Sequence, residues 1–240
     1  MSTTTHQDVI YPDSDGQPMA ENTLQFEWIT TIKWGLEAVF RDDPDVFVAG
    51  DLLWYPVEGD NKTRTAPDAM VAFGRPKGYR GSYMQWIENG VAPQVVFEVL
   101  SPGNRTGELQ RKLQFYERFG VEEYYIYDPD RYTFNGWRRR SSLLEPVANL
   151  NRFVSPRLGV RFEPGEGDLT IYGPDGRPFA TYMELFEQRD AEAARADDER
   201  QRADDERQRA DIERQRADIE RQRADRLAAR LKALGLDLED

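Results

Sequence analysis

Cysteine is absent and histidine occurs once, at His6 in a polar N-terminal stretch. With no thiol there is no disulfide and no thiolate metal site. With one imidazole, histidine-based catalysis and histidine-rich metal centres are almost excluded. Any metal would be held by oxygen, which restricts the choice to hard cations such as magnesium, manganese or calcium. Long apolar runs are lacking too: none approaches the ~20 residues that span a bilayer. The opening "MSTTTHQDVIYPDSDGQPMA" has neither the basic start nor the apolar centre of a signal peptide. The chain reads as soluble and cytoplasmic, with no membrane partner. Excess positive charge is also lacking. The net charge of -12 argues against general adhesion to nucleic acid and leaves room only for a local basic patch.

What is present supports a folded core. Aromatic residues make up 12% of 240 residues. Residues 1–20 are polar and read as a loose arm. Leu24, Trp28, Ile32, Leu36 and Val39 then recur at helical spacing, with Asn22 or Thr23 placed to cap the start. "DVFVAGDLLWYP" has strand character, and "PDAMVAF" is a shorter strand entered from a proline. "GRPKGYRGSYMQWIENGVAP" reads as an inserted loop. "QVVFEVL" is the clearest strand: an unbroken apolar run suggests a strand covered on both faces. "SPGN" turns the chain into "TGELQRKLQFYERFG", a helix with Leu109, Leu113 and Tyr116 on one face and Gly120 as its stop. "EYYIYD", "YTFNGWRRR" and "SLLEPVA" continue as strands of a meander, with Asn135-Gly136 as a hairpin turn. Short β segments follow in "RLGVRFEP" and "DLTIYGPDGRPF".

Beyond about Glu184 the character changes. "RADDERQ" and "RADIERQ" recur with a seven-residue period from Arg195. Acid–base pairs such as Asp198–Arg202 stand at i,i+4 and favour a long helix. The apolar steps, Ala210 to Ile212 to Ala217, alternate two and five and make a poor coiled-coil seam. The pattern predicts a solvated single helix. Only Leu227, Leu231 and Leu234 form an apolar stripe, suited to a partner or to a second copy in a homodimer. The expected organisation is an arm over 1–20, a folded domain over 21–186 and a charged helix over 187–240.

Glu98 lies in the middle of the clearest strand, and a carboxylate buried there is expensive unless compensated. Asp68 opens the preceding strand. If those strands pair, the two acids converge near one end of a sheet, and Lys112, on the following helix, can return its ammonium to the same point. Two carboxylates suit a divalent cation, whose chemistry is to polarise a phosphodiester and to acidify bound water; a lysine can steady the developing charge. The plainer alternatives are a Glu98 satisfied by Arg111 or by backbone donors, an Asp68 that caps a turn, and a Lys112 in solvent.

The stretch from "APDAMVAF" through "VVFEVLSPGN" to "LQRKLQFYERFGVEEYYIYDP" resembles the Uma-two family of restriction-endonuclease-like proteins, within the PD-(D/E)XK nuclease superfamily. The resemblance covers roughly residues 21–186. It implies an α/β (α+β) fold, with a mixed central sheet flanked by helices, and magnesium- or manganese-dependent cleavage of DNA. It implies Asp68, Glu98 and Lys112 as the acid, acid and base of the site, with Asp68 and Glu98 as metal ligands. One departure is plain: the superfamily places its lysine two positions after the acid, where this chain has Leu100, so the lysine would have migrated to Lys112. Glu27, on the first helix near Gln25, is a candidate additional acid. Asp51 is a rival that also suits a turn. Arg75, Lys77, Arg80 and Arg105 are candidate phosphate contacts, and Arg138–Arg140 form another basic run. The tyrosines and tryptophans read as packing residues. A second reading of the whole chain is a nuclease-shaped accessory module with little turnover, working through its C-terminal helix.

Overall fold

The computed structural model of the protein describes residues 9–14, 16, 18–103, 106–165 and 167–233. His6, Arg105 and Leu234 lie outside these residues. The elements, in chain order, are α1 (Thr23–Val39), β1 (Val46–Ala49), β2 (Trp54–Tyr55), β3 (Ala69–Phe73), β4 (Tyr83–Met84), β5 (Val95–Val99), α2 (Thr106–Phe119), β6 (Glu123–Asp128), β7 (Thr133–Arg140), β8 (Leu143–Pro146), β9 (Phe153–Val154), β10 (Arg161–Pro164), β11 (Leu169–Tyr172) and α3 (Tyr182–Ala233). Contacts divide the chain into two compact units, Met1–Tyr182 and Met183–Asp240.

A six-stranded mixed sheet in the order β1-β3-β5-β6-β7-β8 organises the first unit. The central strands β3, β5 and β6 carry apolar side chains on both faces, as continuous Val/Ile/Tyr runs require of strands that are covered on both sides. One face packs Val71, Val95, Phe97 and Tyr125 against Ile29, Ile32 and Leu36 of α1 and against Phe162 and Ile171 of the small β9–β11 sheet. The other packs Met70, Val96, Tyr124 and Ile126 against Tyr116 and the apolar stripe of α2. β5 and β6 are parallel, so the chain must cross over between them, and α2 is that crossover. Asn22 caps α1 by accepting the Gln25 amide at 2.8 Å. Gly120, at φ 103, ends α2 in a conformation that other residues rarely adopt.

Four details differ from the sequence-based expectation. "DVFVAGDLLWYP" is two strands, because Asp51 sits at φ 47 and sends its amide to the Pro67 and Asp68 carbonyls. Asn135-Gly136 is strand interior: Gly136 opposes Tyr125, and a Cβ there would stand 2.9 Å from that ring. The tight turn lies instead at Ser141-Ser142, with Ser141 at φ 57. The described part of the arm is fastened down. Tyr11 packs on Tyr55 and Trp86, and the Pro12 carbonyl accepts the Tyr55 hydroxyl at 2.8 Å.

The inserted loop is also built. β4 pairs parallel to β2, and Glu88 draws Arg75 to 3.0 Å and Arg80 to 2.6 Å. Burial pushes the Glu88 carboxyl up, but the two guanidinium groups outweigh it and hold it below its ordinary value of 4.5. A group depressed in this way stabilises the fold above the ordinary value and loses that contribution as pH falls through the folded one. Glu88→Gln is therefore expected to destabilise the protein by about 2 kcal/mol at neutral pH, because two half-buried cations lose their partner. Urea unfolding would show this gap narrowing below pH 4.5. Equal stability at neutral pH would mean that the ion pairs do not hold the loop.

α3 runs for 52 residues with none of its residues buried. Ion pairs at i,i+3, Arg200–Asp197 and Arg207–Asp204, and a Gln201–Asp205 hydrogen bond decorate it, as its charge pattern requires. Among the described residues, no helix is long and apolar enough to cross a membrane.

Candidate active site

The register explains how two acids distant in sequence meet. β3 and β5 are antiparallel with Ala69 opposite Phe97 and Met70 opposite Val96. Extending that pairing by one residue sets Asp68 opposite Glu98. Alternation along both strands places the two with Met70 and Val96, on the α2 side of the sheet. Asp68 Oδ2 accepts the Val99 amide at 2.6 Å, which fixes the carboxylate at the end of β5. Among the described residues no protein donor is paired with its other oxygen.

Glu98 is 3% exposed and has two side-chain partners, both from α2. Lys112 Nζ donates to Oε2 at 2.6 Å, and the Tyr116 hydroxyl donates to Oε1. Lys112 and Tyr116 are four residues apart on the helix, so one face presents both donors. Arg111, the alternative partner, is exposed. The Tyr124 hydroxyl is buried nearby and has no hydrogen-bond partner among the described residues.

The electrostatics follow from this crowding. Burial, and then the like charge of Glu98, raise the Asp68 carboxyl well above the carboxylate range, despite Lys112 and the Val99 amide. Burial pulls Lys112 down, but the Glu98 and Asp68 carboxylates outweigh it, so the amine stays an ammonium. Burial and the Glu98 charge push the Tyr116 hydroxyl up and keep it a donor.

Asp68 and Lys112 line a cleft of about 810 Å³, with Glu98 beneath them. Glu21 just before α1, Gln25 in its first turn, Asp51, Glu108, and Asn61, Lys62, Arg64, Thr65 and Ala66 before β3 are among the residues that form its wall. Gln25 Nε2 donates to the Val99 carbonyl at 2.8 Å, and the Ser101 hydroxyl donates to Glu21. The structure thus brings Asp68, Glu98 and Lys112 together. It does not bring Glu27, which is exposed on α1 and absent from the cleft wall. Arg75 and Lys77 are absent as well: Arg75 is paired with Glu88, and Lys77 with Glu37 at 3.0 Å. Sequence reasoning missed Glu21, Thr65, Lys62 and Arg64, and it read Tyr116 as packing alone. For Tyr116 the four-residue step from Lys112 was a usable signal. For the loop residues there was none.

The donor set fits a hard divalent cation. It consists of oxygen, one oxygen of Asp68 lacks a protein donor, and each Glu98 oxygen keeps a lone pair after its hydrogen bond. Burial first, and then the like charge of Glu98, raise the Asp68 carboxyl, and a bound cation would offset both. Among the described residues no group of three His, Cys, Asp or Glu could hold a metal ion. The pair would therefore suit an ion that completes its shell with water and substrate oxygens, as magnesium commonly does.

No curated protein matches the chain. A solved structure, of "a putative nuclease belonging to DUF820" from Anabaena variabilis, aligns with 16% identity and a TM-score of 0.43, covering 56% of this chain and 72% of its own. A family model described as "Putative restriction endonuclease" matches residues 7–171, well over half of the 240. The chain belongs to that family, Uma2.

Proposed function

We propose that the protein is a divalent-metal-dependent endonuclease that hydrolyses DNA phosphodiester bonds at the end of β5. Asp68 and Glu98 would hold magnesium or manganese, with Lys112 assisting. The observation that carries this reading is the opposed placement of Asp68 and Glu98 on one face of the sheet beside a cleft, with Lys112 on Glu98.

A cation bound there would supply Lewis-acid polarisation of the phosphodiester and a more acidic water. The chain's own groups do the rest. Tyr116 and Lys112 hold the Glu98 carboxylate in one orientation, so little reorganisation is needed when substrate arrives. Burial pulls Lys112 down, but the Glu98 and Asp68 carboxylates raise it overall, so it would act as a positive charge and donor beside the reacting phosphate. Asp68, with its raised proton affinity, keeps one oxygen for the cation. The test is nicking of a supercoiled plasmid with magnesium or manganese and its suppression by EDTA. Plasmid that stays intact with both metals would overturn the reading.

A specific observation favours the second reading, an accessory module with weak turnover: Glu98 gives both oxygens to protein donors, and no third acid joins it among the described residues. The working part would then be α3, whose Leu227 is exposed for a partner or a second copy. That reading expects duplex binding without nicking.

A further inference from the structure

We propose that Lys62 and Arg64, in the loop that joins β2 to β3, are the phosphate clamp that draws a DNA strand into the cleft. The inference rests on the nuclease reading above and identifies how its substrate is held.

The cleft poses an electrostatic problem. Glu21, Asp51, Asp68 and Glu108 all line it, and the chain carries a net charge of -12. A polyanion entering such a groove meets repulsion unless cations wait at its wall. Among the described residues the wall has three: Lys62, Arg64 and Lys112. Lys112 is engaged by Glu98 at 2.6 Å. The basic residues of the neighbouring insertion are engaged elsewhere, Arg75 and Arg80 on Glu88 and Lys77 on Glu37. Lys62 and Arg64 form no salt bridge among the described residues, and they are left to meet the substrate.

The loop is built to hold them. Asp60 Oδ1 accepts the Lys62 amide at 2.8 Å and the Thr63 amide at 3.1 Å, which closes a tight turn under the lysine. Trp54 and Thr65 exchange backbone hydrogen bonds at 2.8 and 3.3 Å and pin the loop's end to β2. Asn61 Nδ2 donates to the Ile10 carbonyl at 2.8 Å. The Arg64 guanidinium stands 6.0 Å from the Tyr55 ring centre and donates Nη1 to the Asn61 carbonyl at 2.9 Å, which leaves most of its five donors for a ligand. Thr65, the next residue, lines the same cleft as Lys112. An arginine fork and a mobile lysine two residues apart suit phosphates of one strand.

The test is the salt dependence of binding. The full chain is titrated against a short fluorescein-labelled DNA duplex in EDTA, where hydrolysis is suppressed, over a series of potassium chloride concentrations. Each phosphate contact contributes about 0.9 to the slope of log K against log salt. Lys62→Ala with Arg64→Ala is expected to make the slope shallower by about 1.8, with unchanged thermal stability. Lys62→Arg with Arg64→Lys, which keeps both charges, is expected to restore the wild-type slope. A purely structural role would not give that pattern. If wild type binds and nicks DNA and the double alanine variant keeps the wild-type slope, the clamp is overturned and the nuclease reading stands. If wild type neither binds nor nicks, both fall together.

Discussion

Glu98→Gln is expected to lower single-turnover DNA cleavage by about a thousandfold or more, with the fold intact. The substitution keeps the shape of the side chain and an oxygen that can accept from Tyr116. It removes the negative charge that, with Asp68, would hold the cation. Losing about 4 kcal/mol of electrostatic stabilisation at the reacting phosphate corresponds to that rate change. Stability should fall by about 2 kcal/mol, as for Glu88→Gln, because Lys112 meets an amide in place of a carboxylate. Lys112 loses its partner at Oε2, but Asp68 also acts on its charge and the lysine side chain remains 21% exposed. Glu98→Ala is the wrong variant for this purpose, because it orphans a buried tyrosine hydroxyl and an ammonium together, at about 3–5 kcal/mol. Cleavage by Glu98→Gln within a few fold of wild type would remove Glu98 from the site.

The same strand shows why some of the site was legible from sequence. A carboxylate inside "VVFEV" is conspicuous, since an apolar run fixes the strand and its two-residue period fixes the face. Asp68 was readable by the same logic once the strands were assumed to pair. α2 announced itself through the spacing of Leu109, Leu113 and Tyr116, and that placed Lys112. Other parts were hidden for physical reasons. Arg75 and Lys77 neighbour the site in sequence, but nothing local reveals that Glu88 and Glu37 take up their charges. Glu21 precedes the N-cap of α1 and reaches Ser101 at the cleft, whereas Glu27 lies on the exposed side of the helix, and a helical period alone does not say which of them faces the cleft. Asn-Gly is a strong turn signal, yet a tertiary demand overrode it: the Tyr125 ring needs the space over Gly136. Lys62 and Arg64 lie in an irregular loop, where periodicity says nothing about direction.

The second large effect concerns Asp68→Asn, which is expected to abolish cleavage and at the same time to stabilise the fold near neutral pH. Asn keeps an oxygen for the Val99 amide, so the end of β5 should hold its geometry. What disappears is a carboxylate whose ionised form is disfavoured by burial and by Glu98. Because the folded carboxyl lies above its ordinary value of 3.8, wild type loses stability as pH rises from that value through the folded one. The advantage of Asp68→Asn should therefore grow with pH over that interval and vanish below 3.8. Magnesium supplies the complementary readout. An ion present at a hundredfold excess over its Kd stabilises the native state by about 2.7 kcal/mol. For a domain of this size that raises Tm by roughly 5–10 °C. Wild type should show this shift and Asp68→Asn should not, because the substitution removes half of the ligand pair that gives the ion its place. A variant that is more stable than wild type without metal, unresponsive to metal and inactive would tie the buried charge, the cation and the chemistry to one oxygen pair. If the Tm of wild type fails to respond to magnesium or manganese, Asp68 and Glu98 are a structural pair closed by Lys112, and the cleft does its work without a cation between them.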